Sequence, residues 1–216
     1  MNRVVAVIPI KTNNQRLPGK NTKILGGQEL CRYLFSTVKE VNCIDETYVY
    51  CSDTSFQRLI PSGLQFLNRP SYLDRDEIKS KDILRAFIET VDADIYVLMH
   101  VTQPFISKKS IQSAIEAVKS GRYDSAFTAY EIREYAWFNG KTVNYSLNNV
   151  VRTQELEPIY TEGELYVFRK EVFTELGRRI GDTPFIQPIN WIESVCIDTL
   201  EDFKMAEAVI AVGGCD

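Results

Sequence analysis

VVAVIPIKTNNQRLPGKNTKILGG, from Val4 to Gly27, carries an apolar strand straight into a cationic loop punctuated by glycine. Val4, Val5, Ala6, Val7 and Ile8 show no polar alternation, so both faces of the strand must be covered. That predicts a strand inside a parallel α/β sheet. Pro9 lacks an N–H and is expected to end the ladder. Beyond it, Lys11, Arg16, Lys20 and Lys23 alternate with the amides Asn13, Asn14, Gln15 and Asn21, with no acidic residue among them. Charged and neutral donors in this mixture suit a triphosphate. Pro18 restricts the backbone and Gly19 releases it, which presents Lys20 and Asn21 at a fixed place. The competing reading is a solvated basic loop between a strand and a helix.

Outward from this stretch, strands and helices alternate. Leu30, Leu34, Val38 and Val41 repeat at helical spacing within Gln28 to Val41, and Glu46 to Asp53 follows as a strand, giving an opening βαβ unit. Short apolar runs at Leu64 to Leu67 and Ile95 to Met99 bracket a helix over Ser80 to Val91. A further helix over Lys108 to Ser120 places Ile111, Ala114, Ile115 and Val118 on one face, with Gly121 to stop it. Strands are predicted at Ser125 to Ala129, Glu164 to Phe168 and Ser194 to Ile197. The alternation implies a three-layer α/β/α fold with a doubly wound, mostly parallel, mixed sheet. Between Tyr130 and Glu162 the periodicity degrades, which predicts an excursion from the sheet, an insert or lid.

At 216 residues the chain has the length of one domain, expected over 1–216. With 44% hydrophobic and 25% charged residues and a net charge of −4, it reads as an ordinary soluble protein rather than a general nucleic-acid or membrane-surface binder. Any anion site must therefore be local. Five cysteines, Cys31, Cys43, Cys51, Cys196 and Cys215, show neither C-x-x-C pairing nor zinc-ligand spacing, so reduced thiols in a cytoplasmic protein are expected. The N-terminal apolar run is too short for a signal-peptide core, and no stretch approaches the roughly 20 residues of a membrane span.

IPIKTNNQRLPGKN resembles the signature loop of the sugar-acid cytidylyltransferases, which include the CMP-sialic acid and CMP-Kdo synthetases, and later motifs recur in that family's order over nearly the whole chain. The resemblance implies a nucleotide-diphospho-sugar transferase type of fold and a CTP-dependent, magnesium-dependent enzyme that makes a CMP-sugar acid and releases pyrophosphate. It also implies a homodimer, with the excursion at about 130–162 serving dimerisation and sugar-site closure. Lys11, Arg16 and Lys20 would hold the triphosphate, with Asn14 and Asn21 completing the cradle. Lys11 stands where the family commonly has arginine, so a point charge replaces a planar fork there. In RPSYLDRDEIKSKDIL, Arg69 and Ser80 would approach the cytosine and its ribose; Ser80 also reads as a helix cap.

DIYVLMHVTQPFIS sets His100, Thr102 and Gln103 at the carboxyl end of a strand, where open α/β sheets keep their ligands. His100 stands where the sialic-acid enzymes have glutamine. It is a candidate for sugar contact or proton transfer, or a satisfied structural histidine. VVRTQELEPIYTEGELYVF resembles the family's R-x-Q-x-L-x-P segment, in which Arg152 would face the sugar carboxylate with Gln154 in support. EGELY replaces an NGA-type turn, and Glu162 and Glu164 either contact an unusual sugar or face solvent. In ESVCIDTLEDFKMAEAVI, Asp198 matches a magnesium-binding aspartate while Cys196 replaces its partner, a poor exchange for a hard cation. Asp198, Thr199 and Asp202 equally suit a helix N-terminus. Two other functions stay open: a nucleotidyltransferase acting on a phosphorylated polyol or sugar, and a non-catalytic nucleotide or sugar sensor.

Overall fold

The computed structural model describes residues 2–213. Seven strands form the main sheet: β1 (Val4–Ile10), β2 (Glu46–Cys51), β3 (Gln65–Asn68), β4 (Ile95–Leu98), β5 (Ser125–Ile132), β6 (Ile159–Arg169) and β7 (Pro184–Ile189). Their spatial order is β7-β5-β6-β4-β1-β2-β3. Every neighbouring pair is parallel except the two that involve β6, which runs antiparallel to both β4 and β5. The sheet is therefore mixed and mostly parallel.

The unbroken apolar run of β1 has the reason its composition suggests. Val4, Ala6, Ile8 and Ile10 enter a cluster with Cys31, Leu34, Phe35 and Val38 of α1 (Leu30–Lys39) and with Ile111, Ala114, Ile115 and Val118 of α3 (Lys108–Lys119). Val5 and Val7 face the opposite layer, where Leu84, Phe87 and Ile88 of α2 (Ser80–Thr90) pack with Val172 and Phe173 of α4 (Lys170–Leu176). Each such aliphatic side chain contributes about 1.5–3 kcal/mol on burial, so the central strand commits the layer order. A third cluster joins Leu17, Leu25 and Leu30 near the start of the chain to Val195, Ile197, Phe203 and Ala206 near its end, the last two in α5 (Leu200–Ala211).

Pro9 does not end β1, which pairs with β2 through Ile10. Val7 turns its carbonyl to β4, accepting from Met99 N, so the absent Pro9 donor points to the side where β4 has already finished. The strand expected over Ser194 to Ile197 is instead the end of a turn followed by chain outside any strand or helix, and the seventh strand is Pro184–Ile189. Its two prolines disguise it, yet they are tolerated because β7 is an edge strand. β6 begins five residues before the expected Glu164, and the excursion between β5 and β6 contains a short hairpin of Trp137–Phe138 with Lys141–Thr142. Gly121 ends α3 with φ +78, as its position predicts.

Candidate active site

The sheet order reverses between β1 and β4, and a ligand crevice belongs outside the carboxyl ends of two such strands. A cleft there is lined by Val7, Pro9, Lys11, Arg69, Ser80, Ile83, Leu84, Leu98 and His100. Lys11, Arg69, Ser80 and His100, distant in sequence, are thus brought to one opening. Arg69 is 1% exposed, with Nη2 donating to the Ile10 carbonyl at 2.8 Å and forming an ion pair with Asp74. Its Nε is buried and has no partner. Ser80 is exposed and is the first helical residue of α2, not its cap; Asp82 accepts from Lys79 N instead. The Ser80 hydroxyl is consequently not consumed by capping.

The cationic loop closes on itself. Gly19 takes φ +67, a left-handed conformation that glycine adopts without strain, and the following 3-10 turn buries Lys20 and Asn21. Asn21 Nδ2 donates to the Lys11 carbonyl at 2.7 Å, and Lys11 Nζ to the Arg75 carbonyl at 3.3 Å. Lys11 also lies 3.8 Å from Asp76, so its charge is partly answered from across the cleft. Asn14 Oδ1 is buried without a partner. Donors of the loop are thus held by acceptors of the chain itself.

Asp198 is the chief of these acceptors. Its Oδ1 accepts from Lys20 Nζ at 2.8 Å and its Oδ2 from Arg16 Nη1 at 2.9 Å. Thr199 and Asp202 build a capping box for α5, with Asp202 Oδ2 accepting from the Asp198 and Thr199 amides. The capping interpretation thus holds for Thr199 and Asp202, whereas the Asp198 carboxylate faces the loop. Among the described residues no group of three or more His, Cys, Asp or Glu is arranged to hold a metal ion. Cys196 offers nothing to a hard cation: burial, then the nearby Glu164 charge, pushes its thiol up to about 11, so it is protonated at neutral pH. One carboxylate with 45% side-chain exposure remains. That fits magnesium only in a site that phosphate oxygens and water complete.

β6 contributes a group whose role the sequence left open. Its register with β5 slips between Glu162 and Tyr166, so Gly163, Glu164 and Leu165 lie opposite Thr128 alone. This bulge re-aims the strand, and Glu164 comes 3.7 Å from His100 Nε2 and 4.0 Å from Cys196 Sγ. Removal from water pulls the His100 imidazole below its ordinary value, against the opposing pull of Glu164, so the ring is neutral. Glu162 accepts from the Tyr166 hydroxyl at 3.0 Å, and Arg179 lies over the Tyr166 ring while donating to the same hydroxyl. Burial raises the Tyr166 phenol, which keeps its proton. No quoted motif reaches Arg179, and Tyr166 closes the EGELY segment without having been given a role.

Gln103, expected at the sugar, is 2% exposed, with both ends of its amide engaged: Nε2 donates to the Glu193 carbonyl at 2.5 Å and Oε1 accepts from Glu164 N at 2.8 Å. It braces the bulge from beneath. Thr102 accepts the Ile197 amide on its carbonyl at 2.8 Å. Arg152 and Gln154 are exposed on a 3-10 turn of the excursion, and among the described residues neither side chain bonds to this cluster. Cys31, Cys43, Cys51 and Cys196 are unpaired, and Cys215 lies outside the described residues. No helix among the described residues is long and apolar enough to cross a membrane.

The sequence pattern that defines the cytidylyltransferases matches residues 5–212. An N-acylneuraminate cytidylyltransferase of Streptococcus agalactiae serotype III (strain NEM316) is 23% identical over 92% of this chain and 51% of its own length. The chain thus spans about half of that relative. A CMP-N,N'-diacetyllegionaminic acid synthase of Legionella pneumophila is 23% identical over 96% of both chains. Among solved structures, a CMP:2-keto-3-deoxy-manno-octonic acid synthetase complexed with CTP superposes with a TM-score of 0.75 at 14% identity, covering 98% of this chain and 99% of that one.

Proposed function

This chain belongs to the cytidylyltransferase family, and from that membership we propose that it activates a 2-keto-3-deoxy sugar acid with CTP, giving a CMP-sugar and pyrophosphate. The observation that carries the reading is the convergence of Arg16, Lys20 and Asp198 beside the switch-point cleft, because a triphosphate can replace the carboxylate as the partner of both cations. The names of the two relatives and of the superposed structure supply the nucleotide and the acceptor class.

In this mechanism Lys11, Arg16 and Lys20 take the phosphates, with Asn14 and Asn21 supplying neutral contacts. Arg69, held rigid by the Ile10 carbonyl and Asp74, and Ser80 at the mouth of α2 select cytosine and ribose. The acceptor's anomeric hydroxyl attacks the α-phosphorus, the bond to the bridging β-phosphate oxygen breaks, and pyrophosphate leaves while the hydroxyl proton is released. No enzyme-bound intermediate is required, so catalysis rests on positioning and charge neutralisation. His100 and Arg152 orient the sugar, with Thr102 and Gln154 in support; Gln103 acts through the bulge it braces. Asp198 would hold magnesium, which supplies neutralisation at the α-phosphate and a lower pKa for the incoming hydroxyl.

The excursion exposes Tyr135, Trp137, Phe138, Val143, Leu147 and Val150, a patch suited to a second copy of the chain, and the proposed working form is a homodimer. The test of function is pyrophosphate release with CTP, magnesium and a panel of sugar acids, with UTP and ATP as controls. Release requiring both CTP and a sugar acid supports the reading. Release only with a phosphorylated polyol or sugar, or CTP binding without turnover, overturns it.

A further inference from the structure

Several charges around the cleft are paired within the chain. Arg16 and Lys20 share Asp198. Arg179 reaches Glu162 through the Tyr166 hydroxyl, which accepts from the arginine and donates to the carboxylate. Among the described residues Glu164 has only His100 Nε2, at 3.7 Å, and the Cys196 thiol, at 4.0 Å, and no lysine or arginine forms an ion pair with it. Its side chain is 37% exposed, so it is neither fully hydrated nor neutralised. An anionic group in that position repels the anionic reactants proposed for this site unless one of them brings a compensating charge.

The backbone is built to keep it there. Gly163 passes so close to Thr128 that an added Cβ would come 2.5 Å from Thr128 Oγ1 and 3.1 Å from Gln103 Nε2. Gln103 in turn accepts the Glu164 amide and donates to the Glu193 carbonyl. Glu193 is itself tied to the start of α3, accepting from Ser107 N and Ser110 Oγ, both at 2.8 Å. The bulge, the glycine and the glutamine brace all act to present one carboxylate, and a solvated surface glutamate needs none of them.

We propose that Glu164 is a specificity-determining residue of this site and binds a protonated amino substituent on the acceptor sugar acid. The inference rests on the cytidylyl-transfer reading and names the acceptor class within it. An ammonium offers Glu164 charge-assisted hydrogen bonds, whereas a hydroxyl in its place leaves the carboxylate uncompensated and an acylated nitrogen adds bulk without charge.

The test compares kcat/KM for CTP-dependent pyrophosphate release with matched acceptors: Kdo and N-acetylneuraminic acid, each against its terminal-amino analogue and the N-acetylated form of that analogue. The wild-type enzyme should favour an amino acceptor about tenfold or more over its hydroxyl counterpart, on the scale of a hydrogen bond to a charged group. Glu164→Gln, which keeps the shape and leaves the braced backbone amide untouched, should erase that preference, bringing the amino and hydroxyl acceptors to similar kcat/KM. Equal use of amino and hydroxyl acceptors by the wild type overturns the inference while leaving cytidylyl transfer standing. So does a uniform fall in kcat with every acceptor in Glu164→Gln, which would mark a residue that only orients His100. No CTP-dependent release with any sugar acid, amino or not, overturns the underlying reading and the inference with it.

Discussion

Lys20 Nζ lies 2.8 Å from Asp198 Oδ1, locking the first loop to a carboxylate 178 positions further along the chain. The ammonium also donates to the Ile197 carbonyl at 2.8 Å, so it is fixed by two acceptors. Because Asp198 is nearly half exposed, the pair contributes modestly to stability, about 1 kcal/mol. Lys20→Met should therefore fold with a melting point lowered by only a few degrees, yet lose about a hundredfold or more in turnover. Turnover within tenfold of wild type would remove Lys20 from the phosphate cradle.

His100 carries a pH signature. Its folded-state value lies below the ordinary 6.5, so between the two the unfolded chain binds more protons than the folded one. The stability it confers is complete above about pH 6.5 and declines as pH falls through the folded value. His100→Gln, a neutral donor of similar reach, should flatten that decline in urea titrations from pH 7.5 to about 5 and keep turnover within about tenfold. An unchanged slope would mean that other groups govern stability in this range.

Cys196 should resist alkylation at neutral pH. With its thiol at about 11, the iodoacetamide rate followed by peptide mass spectrometry should climb roughly tenfold per pH unit well past pH 9. Glu164→Gln removes the second cause of the shift and should bring the curve to lower pH. A midpoint near the free-cysteine value of about 8.5 would contradict the buried thiol.

Gly163→Ala tests the bulge without touching a charged group. The new Cβ meets Thr128 Oγ1 at 2.5 Å, so strand or side chain must shift at a cost of about 1–3 kcal/mol. Thr128→Ala combined with it should restore much of the loss. Additive destabilisation in the double variant would place the strain elsewhere.

Much of this molecule was legible from its residues because burial on two faces leaves a plain signature. Val4 to Ile8 announced the central strand, and the spacing of Ile111, Ala114, Ile115 and Val118 announced the helix that covers it. Pro184–Ile189 was not legible, since edge position excuses the prolines that argue against a strand and edge position is a tertiary fact. At the site, residue types suited to phosphate were readable in the loop, but their pairing with Asp198 was not. Charge complementarity across 178 residues leaves no periodicity in the chain. The role of Glu164 was hidden for a similar reason, as the slip in register that aims it belongs to two strands at once.

The third apolar cluster, which unites Leu17, Leu25 and Leu30 with Val195, Ile197, Phe203 and Ala206, also bears on the order in which the chain matures on the ribosome. The β1–α1–β2 unit depends on near neighbours and can gather early, and Lys11 can meet Asp76 once that segment is made, but Arg16 and Lys20 have no carboxylate to close against until Asp198 has been synthesised. A nascent chain therefore carries Arg16 and Lys20 without their carboxylate for most of its synthesis, and this part of the site is completed at the end of folding rather than at any stage before it.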